Sequence, residues 1–386
     1  MYPHRPAIEQ RILAALHASP PRIPWLVGAS GTGRTSVLLR LRETLGPQQC
    51  QYVDVERSAT TPERFQAALI DKSPFEVTSR NDIDTARDAF DATLDFFEKA
   101  RGTSGGTFLL DEVLEFKTFE SFPGLRHTLR ELLTAFGRSG NRFVLSTRYA
   151  KRAARAIKDA PAAFEIIPVP GLGAADVKAM LPNTAEHHVE EELAELAGAI
   201  QALTLGRPLY VQTITEALAT HADGAGDPVA ALTGLLVPGA ALSNACHMIY
   251  ELRLHRARGY GALKAILDVL AEEESLTLTS IAQRMHRTPG STKDYLTWLE
   301  DVDLIEMHKK RYSYTDPLLR LWVRLHCRSM PPTLEHIARE VQEYALGRLP
   351  KGERRWVSVA TRRLPEPASQ PMRAGENRPW AMIEID

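Results

Sequence analysis

Short apolar runs separated by helical patterns constrain this chain more than any other feature. Four runs, 23–28 (IPWLVG), 51–55 (QYVDV), 106–112 (GTFLLDE) and 142–147 (RFVLST), are each bounded by polar or turn residues. A fifth lies at 164–171 (FEIIPVPG). Apolar runs this short read as strands buried on both faces. Helical periodicity fills 34–45, 61–70, 83–101, 124–138 and 149–158. Strands alternating with helices predict an α/β domain with a parallel sheet and right-handed crossovers over residues 1–171. Residues 172–221 then read as helices alone, a lid on the sheet domain, and 222–239 as a linker rich in Gly, Ala and Asp.

A different pattern begins at 240. Three helical stretches precede an alternating segment at 304–315 (LIEMHKKRYSYT), which predicts a hairpin. Three short helices followed by a basic-tipped hairpin is the layout of a winged helix-turn-helix, over residues 240–328. Residues 329–386 form a C-terminal extension with one helix at 334–346 and a proline-rich stretch at 365–379. The 386 residues suit two or three domains at about 100–200 residues each. Formal net charge is −1, so any contact with DNA must come from a local basic patch. Three cysteines without a C-x-x-C pair imply neither a zinc ribbon nor a disulfide framework, and a reducing cytoplasm is expected. The N-terminus has no apolar leader core. No apolar stretch reaches the roughly 18 residues of a membrane span.

Between the first apolar run and the first helix lies Gly28-Ala29-Ser30-Gly31-Thr32-Gly33-Arg34-Thr35-Ser36. This is nearly G-x-x-x-x-G-K-[ST], with arginine where the pattern has lysine. Such a loop binds phosphate because successive backbone N–H groups surround an anion at a helix N-terminus. Gly31 to Thr35 would supply those groups, and the Thr35 hydroxyl, with Ser36 next in line, would hold Mg²⁺. Arg34 retains the positive charge on a longer, planar head, so hydrolysis depends on it more than binding does. Downstream, the run TFLLDE ends in Asp111-Glu112. An aspartate there orients Mg²⁺ and a glutamate activates the attacking water. The end of RFVLST brings Thr147 and Arg148 as γ-phosphate sensors, and Gly206-Arg207-Pro208 opens a lid helix that could reach base or phosphate.

In this order, HRPAIEQRILAAL, GASGTGRT, FLLDE, VLSTR, GRP and TKDYLTWLEDVDLIE…RYSYTDPLLRLWVR resemble the AAA+-related STAND ATPases. The likeness is to the archaeal-type ATPase family with a C-terminal winged helix, and it covers roughly residues 1–328. The resemblance implies ATP binding by the loop, Mg²⁺ at Thr35 and Asp111, and water activation by Glu112; Arg34, standing where the family has lysine, is the second candidate catalytic residue. The resemblance also implies a nucleotide-dependent change in the seating of lid and winged helix, and a switch or self-assembling role. The chain ends in IEID with no lysine beyond it to complete a metal-nuclease core, so nuclease activity is not expected.

Thr292 and Lys293 on the fold's recognition helix, with Lys309, Lys310 and Arg311 at the hairpin tip, are the candidate contacts to double-stranded DNA. Asp294, Glu300 and Asp301 on the same helix favour the alternative, a winged helix used for intramolecular or protein contact. Three functions stay open: an ATPase switch acting on DNA or a protein partner, a nucleotide-dependent regulator without turnover, and an assembly scaffold. Defence, transposition and replication-associated loading are candidate processes. His187-His188 read as a surface loop, and the basic residues of 351–363 as a solvated face.

Overall fold

The computed structural model describes residues 4–75, 83–100, 105–158, 160, 162–181, 190–220, 226–254, 259–350 and 356. The first unit begins with α1 (Pro6–Leu16), β1 (Ile23–Val27), α2 (Arg34–Leu45), β2 (Cys50–Asp54), α3 (Val55–Ser58), α4 (Pro62–Asp71) and α5 (Ala86–Lys99). It continues with β3 (Thr107–Asp111), a 3-10 segment (Val113–Ser121), α6 (Thr128–Arg138), β4 (Arg142–Thr147), α7 (Ala150–Ile157) and β5 (Phe164–Pro168). The five strands form one parallel sheet in the order β2-β3-β4-β1-β5. The expected α/β sheet is therefore present, and β4 lies between the strand that leads into the glycine loop and the strand that ends in Asp111.

Pleating explains why the central runs carry no polar alternation. Trp25, Val27, Phe108, Leu110, Phe143 and Leu145 face one core; Leu26, Leu109 and Val144 face the other, with α1 and α2. On the first face the rings of Phe97 and Phe108 lie 5.1 Å apart edge to face, and Phe136 stacks on Phe143 at 4.2 Å. That apolar cluster runs without a break into the helices that follow.

Those helices are α8 (Ala174–Met180), α9 (Glu190–Thr204), α10 (Pro208–Thr220), α11 (Pro228–Leu235) and α12 (Ala241–Leu254). Part of the stretch expected to be a linker is thus α11, capped by the Asp227 side chain and burying Val229, Ala231 and Leu232. Proline at the first helical position, behind an aspartate cap, starts a helix; the small apolar residues that resembled a linker are its packed face. Where α8 and α10 leave the sheet, Gly171 and Gly206 meet backbone to backbone. A Cβ on Gly171 would fall on the Leu205 carbonyl oxygen, and one on Gly206 on that of Leu172.

The chain closes with α13 (Tyr260–Glu272), β6 (Leu276–Thr277), α14 (Leu278–Arg284), α15 (Pro289–Asp301), β7 (Ile305–His308), β8 (Arg311–Tyr314), α16 (Pro317–His326) and α17 (Leu334–Arg348). The expected hairpin β7–β8 pairs Ile305 with Tyr314 and His308 with Arg311, and β6 adds an edge strand to β8. Lys309 and Lys310 form its two-residue turn, both at positive φ. His187-His188, residues 222–225 of the expected linker, and most of the chain beyond 350 lie outside the described residues. No helix among the described residues is long and apolar enough to cross a membrane.

Candidate nucleotide-binding site

The loop Gly28–Gly33 joins β1 to α2 at the C-terminal end of the sheet, where open α/β sheets bind ligands. Gly31 and Gly33 take φ of +79° and +87°, a region in which a side chain is strained. Gly33 caps α2 with no side-chain acceptor, so the first N–H groups of the helix face into the loop. The loop is braced within itself, the Thr32 hydroxyl donating to the Ala29 carbonyl at 2.8 Å. Arg5 braces it from outside, donating to the carbonyls of Thr32 (3.2 Å) and Pro170.

At the head of α2, the Thr35 hydroxyl donates to Asp111 Oδ2 at 2.6 Å. Tyr52 donates to the same oxygen at 3.0 Å, and Ser146 donates to Oδ1. Three hydroxyls from three elements therefore fix one buried carboxylate. Burial, and then the Asp111 charge, push the Tyr52 phenol well above its ordinary value, so it stays a donor. A hydroxyl and a carboxylate side by side beneath a phosphate loop are a donor set of hard oxygens, which suits Mg²⁺.

Glu112 follows in a left-handed conformation (φ 56°) and anchors its N–H on the Ser146 hydroxyl at 3.2 Å. Its carboxylate is fully engaged. Oε1 lies 2.7 Å from Arg34 Nη2 and 3.1 Å from Arg148 Nε, and Oε2 accepts the Arg148 N–H at 3.2 Å. Arg148 continues to Glu56 of α3, giving an alternating series Arg34–Glu112–Arg148–Glu56. Arg34, Glu112 and Arg148 are only 7%, 6% and 7% exposed. Burial alone would raise the Glu112 carboxyl, but the two guanidinium charges outweigh it and hold it below the ordinary value. Nε and Nη1 of Arg34, although buried, have no hydrogen-bond partner among the described residues. Buried donors at the head of a phosphate loop fit an anion that accepts from them.

The lid residues divide. Pro208 packs over Gly33, and the Leu209 N–H reaches the Gly31 carbonyl at 3.4 Å, so α10 starts on the loop. Arg207 turns instead to the C-terminal unit, 2.7 Å from Asp316 and 3.0 Å from the Thr315 carbonyl. Thr147 is buried, and its hydroxyl accepts the Tyr149 N–H at 3.2 Å. Ser36 lies in the first turn of α2. Among the DNA candidates, Lys293, Lys309, Lys310 and Arg311 are exposed, with Arg311 donating to the Ser275 carbonyl at 2.7 Å. Thr292 is not a surface residue. It is fully buried and its hydroxyl donates to Thr288, because it occupies the inner face of α15. The acidic end of that helix is docked, Glu300 on Lys151 and Asp301 on Arg155 of α7.

Sequence reasoning missed Tyr52, Glu56 and Arg5, and most of all Arg253. Arg253 of α12 donates to the Ser30 hydroxyl of the loop at 3.1 Å and to the Asp303 carbonyl at 2.9 Å. A signal existed. Leu242, Cys246, Tyr250 and Arg253 follow helical spacing, so an arginine falls on a buried stripe.

No protein-family model matches the chain. No curated protein matches it. A solved Walker-type ATPase of Pyrococcus abyssi is similar at 16% identity and a TM-score of 0.58, over 84% of this chain and 96% of that one. Cdc6p from Pyrobaculum aerophilum is similar at 13% identity and a TM-score of 0.41, over 91% of this chain and 96% of that one. At such identities the likeness is one of fold. With its strand order and glycine loop, the α/β unit shares its fold with that Walker-type ATPase.

Proposed function

We propose that this chain is an ATP-binding, ATP-hydrolysing switch of the AAA+/STAND type. Its nucleotide state would set how a helical lid and a winged helix sit against the α/β domain, and thereby control binding to DNA or a protein partner. One observation carries the reading. Thr35 and Asp111 meet at 2.6 Å, and Arg34 and Glu112 at 2.7 Å, on a loop whose helix N-terminus lacks a side-chain cap. Phosphate would be held by the N–H groups of Gly31 to Thr35 and by the two idle nitrogens of Arg34. Mg²⁺, bound with ATP, would neutralise charge across the phosphate oxygens. Thr35 and Asp111 would hold it, while Tyr52 and Ser146 keep Asp111 oriented. When Arg34 turns to phosphate, Glu112 keeps one guanidinium partner and regains a free edge to accept a proton from water.

The winged-helix reading is supported by α13, α14 and α15 standing before the β7–β8 hairpin, which β6 extends to three strands, with two exposed lysines at its tip. Positive φ at both turn positions would suit Asn-Gly better, so lysine there favours a role for charge. A second reading is a nucleotide-dependent regulator without turnover; it is favoured by the capture of both Glu112 oxygens by Arg34 and Arg148. Phosphate release from MgATP, measured beside Glu112→Gln, separates the two. The switch predicts turnover that falls about 10²–10⁴-fold in Glu112→Gln with nucleotide affinity retained. Equal rates leave the regulator. Loss of all ATP and ADP binding at millimolar nucleotide removes both, with Gly33→Val and Thr35→Ala as binding-deficient controls.

A further inference from the structure

Four buried arginines, Arg34, Arg148, Arg207 and Arg253, differ in the partners they find. Arg34 lies on Glu112, Arg148 on Glu112 and Glu56, and Arg207 on Asp316. Arg253 is 2% exposed, yet no carboxylate among the described residues lies in ion-pair contact with it. Its Nη2 donates to Ser30 at 3.1 Å and its Nη1 to the Asp303 backbone at 2.9 Å, both neutral acceptors. Its Nε is buried without a partner. Burial lowers its pKa, the Asp303 and Asp316 charges offset part of that, and the Arg207 charge adds to it. A buried cation held only by neutral acceptors, with no carboxylate in direct contact, is among the costlier arrangements in a protein interior, and an anionic ligand would offset that cost.

We propose that Arg253, carried on α12 outside the α/β domain, binds a phosphate of the nucleotide held by the glycine loop and so makes the C-terminal unit a direct reader of that ligand. The proposal rests on the nucleotide reading of the loop. Ser30 belongs to the loop itself, so the guanidinium already stands at the ligand's doorway, with one donor idle and two on weak acceptors. Phosphate would replace the Ser30 contact with a charge-assisted one. Asp303 leads directly into the β7–β8 hairpin, so a pull on Arg253 is a pull on the wing.

Thermal unfolding of the full chain, with and without MgADP, tests this together with titration of a fluorescent ADP. Arg253→Met should melt at or above wild type without nucleotide, because an uncompensated buried charge is gone. Its MgADP-induced rise in melting temperature should shrink, and its ADP affinity should fall about ten- to a hundredfold. Arg253→Lys, which keeps the charge without the fork, should fall between the two and carries the comparison if the methionine variant does not fold. Wild-type ADP affinity in Arg253→Met would overturn the proposal. So would a melting point far below wild type with an unchanged MgADP-induced rise, the mark of a structural strut. No MgADP response in wild type would overturn the nucleotide site itself, and the role of Arg253 with it.

Discussion

Each residue of the charged series beneath the loop holds its neighbour in place, which gives Glu112 a sign-definite pH signature. Its carboxyl lies below the ordinary 4.5, so its contribution to stability is present above that value and is lost as the pH falls through the lower, folded one. Wild type should therefore melt above Glu112→Gln at neutral pH, and the gap should narrow on acidification below about 4.5; a gap independent of pH would contradict it. Arg34→Ala should weaken nucleotide binding and also destabilise the protein, by less than the roughly 3–5 kcal/mol of a broken buried pair because Arg148 still covers Glu112. Urea unfolding and ADP titration measure the two effects separately. The loop, Asp111 and Glu112 were legible in the sequence because adjacent positions and a strand end define them. Arg253 was not, since its acceptor Ser30 lies 223 residues away, and Arg207 gave no sign that Asp316, rather than phosphate, would take its guanidinium.

At the scale of elements, Asp316 caps α16 through the N–H groups of Leu318 and Leu319 while accepting from Tyr210 of α10 and pairing with Arg207 just ahead of that helix. Asp316→Ala should cost about 3–5 kcal/mol in chemical denaturation, since it strands a buried guanidinium as well as a helix end. A loss below about 1 kcal/mol would show that α10 is held by its apolar face alone. The pairs between α7 and α15 are different. Lys151 and Arg155 are half-exposed, so each pair contributes under about 1 kcal/mol and sets orientation more than stability. Lys151→Glu with Arg155→Glu should free α15 and raise affinity for a labelled duplex several-fold, with little change in melting temperature. Unchanged anisotropy curves would sink this. Strands with long apolar runs, and helices of twelve residues or more such as α2 and α5, were legible because their periodicity stands clear of their flanks. The two-residue β6, the 3-10 segment and α11 were not, because neighbours rather than pattern decide them.

Taken as a whole, the molecule carries almost no net charge, so any DNA contact must be local and its salt dependence would be diagnostic. Replacing Lys309, Lys310 and Arg311 with alanine should make the plot of log affinity against log salt shallower by about 0.9 for each residue that meets a phosphate. An unchanged slope would remove the hairpin tip from the interface and leave protein contact as its use.

The glycine pair ahead of α8 and α10 has a mechanical meaning. Gly171 and Gly206 meet backbone to backbone, with no room for a side chain between them. A single methyl group in Gly206→Ala would act as a spacer, lifting Pro208 and Leu209 away from Gly33 and Gly31 without altering any charge. Communication in this chain would then be a matter of fit as much as of electrostatics, and that one methyl group would separate the two.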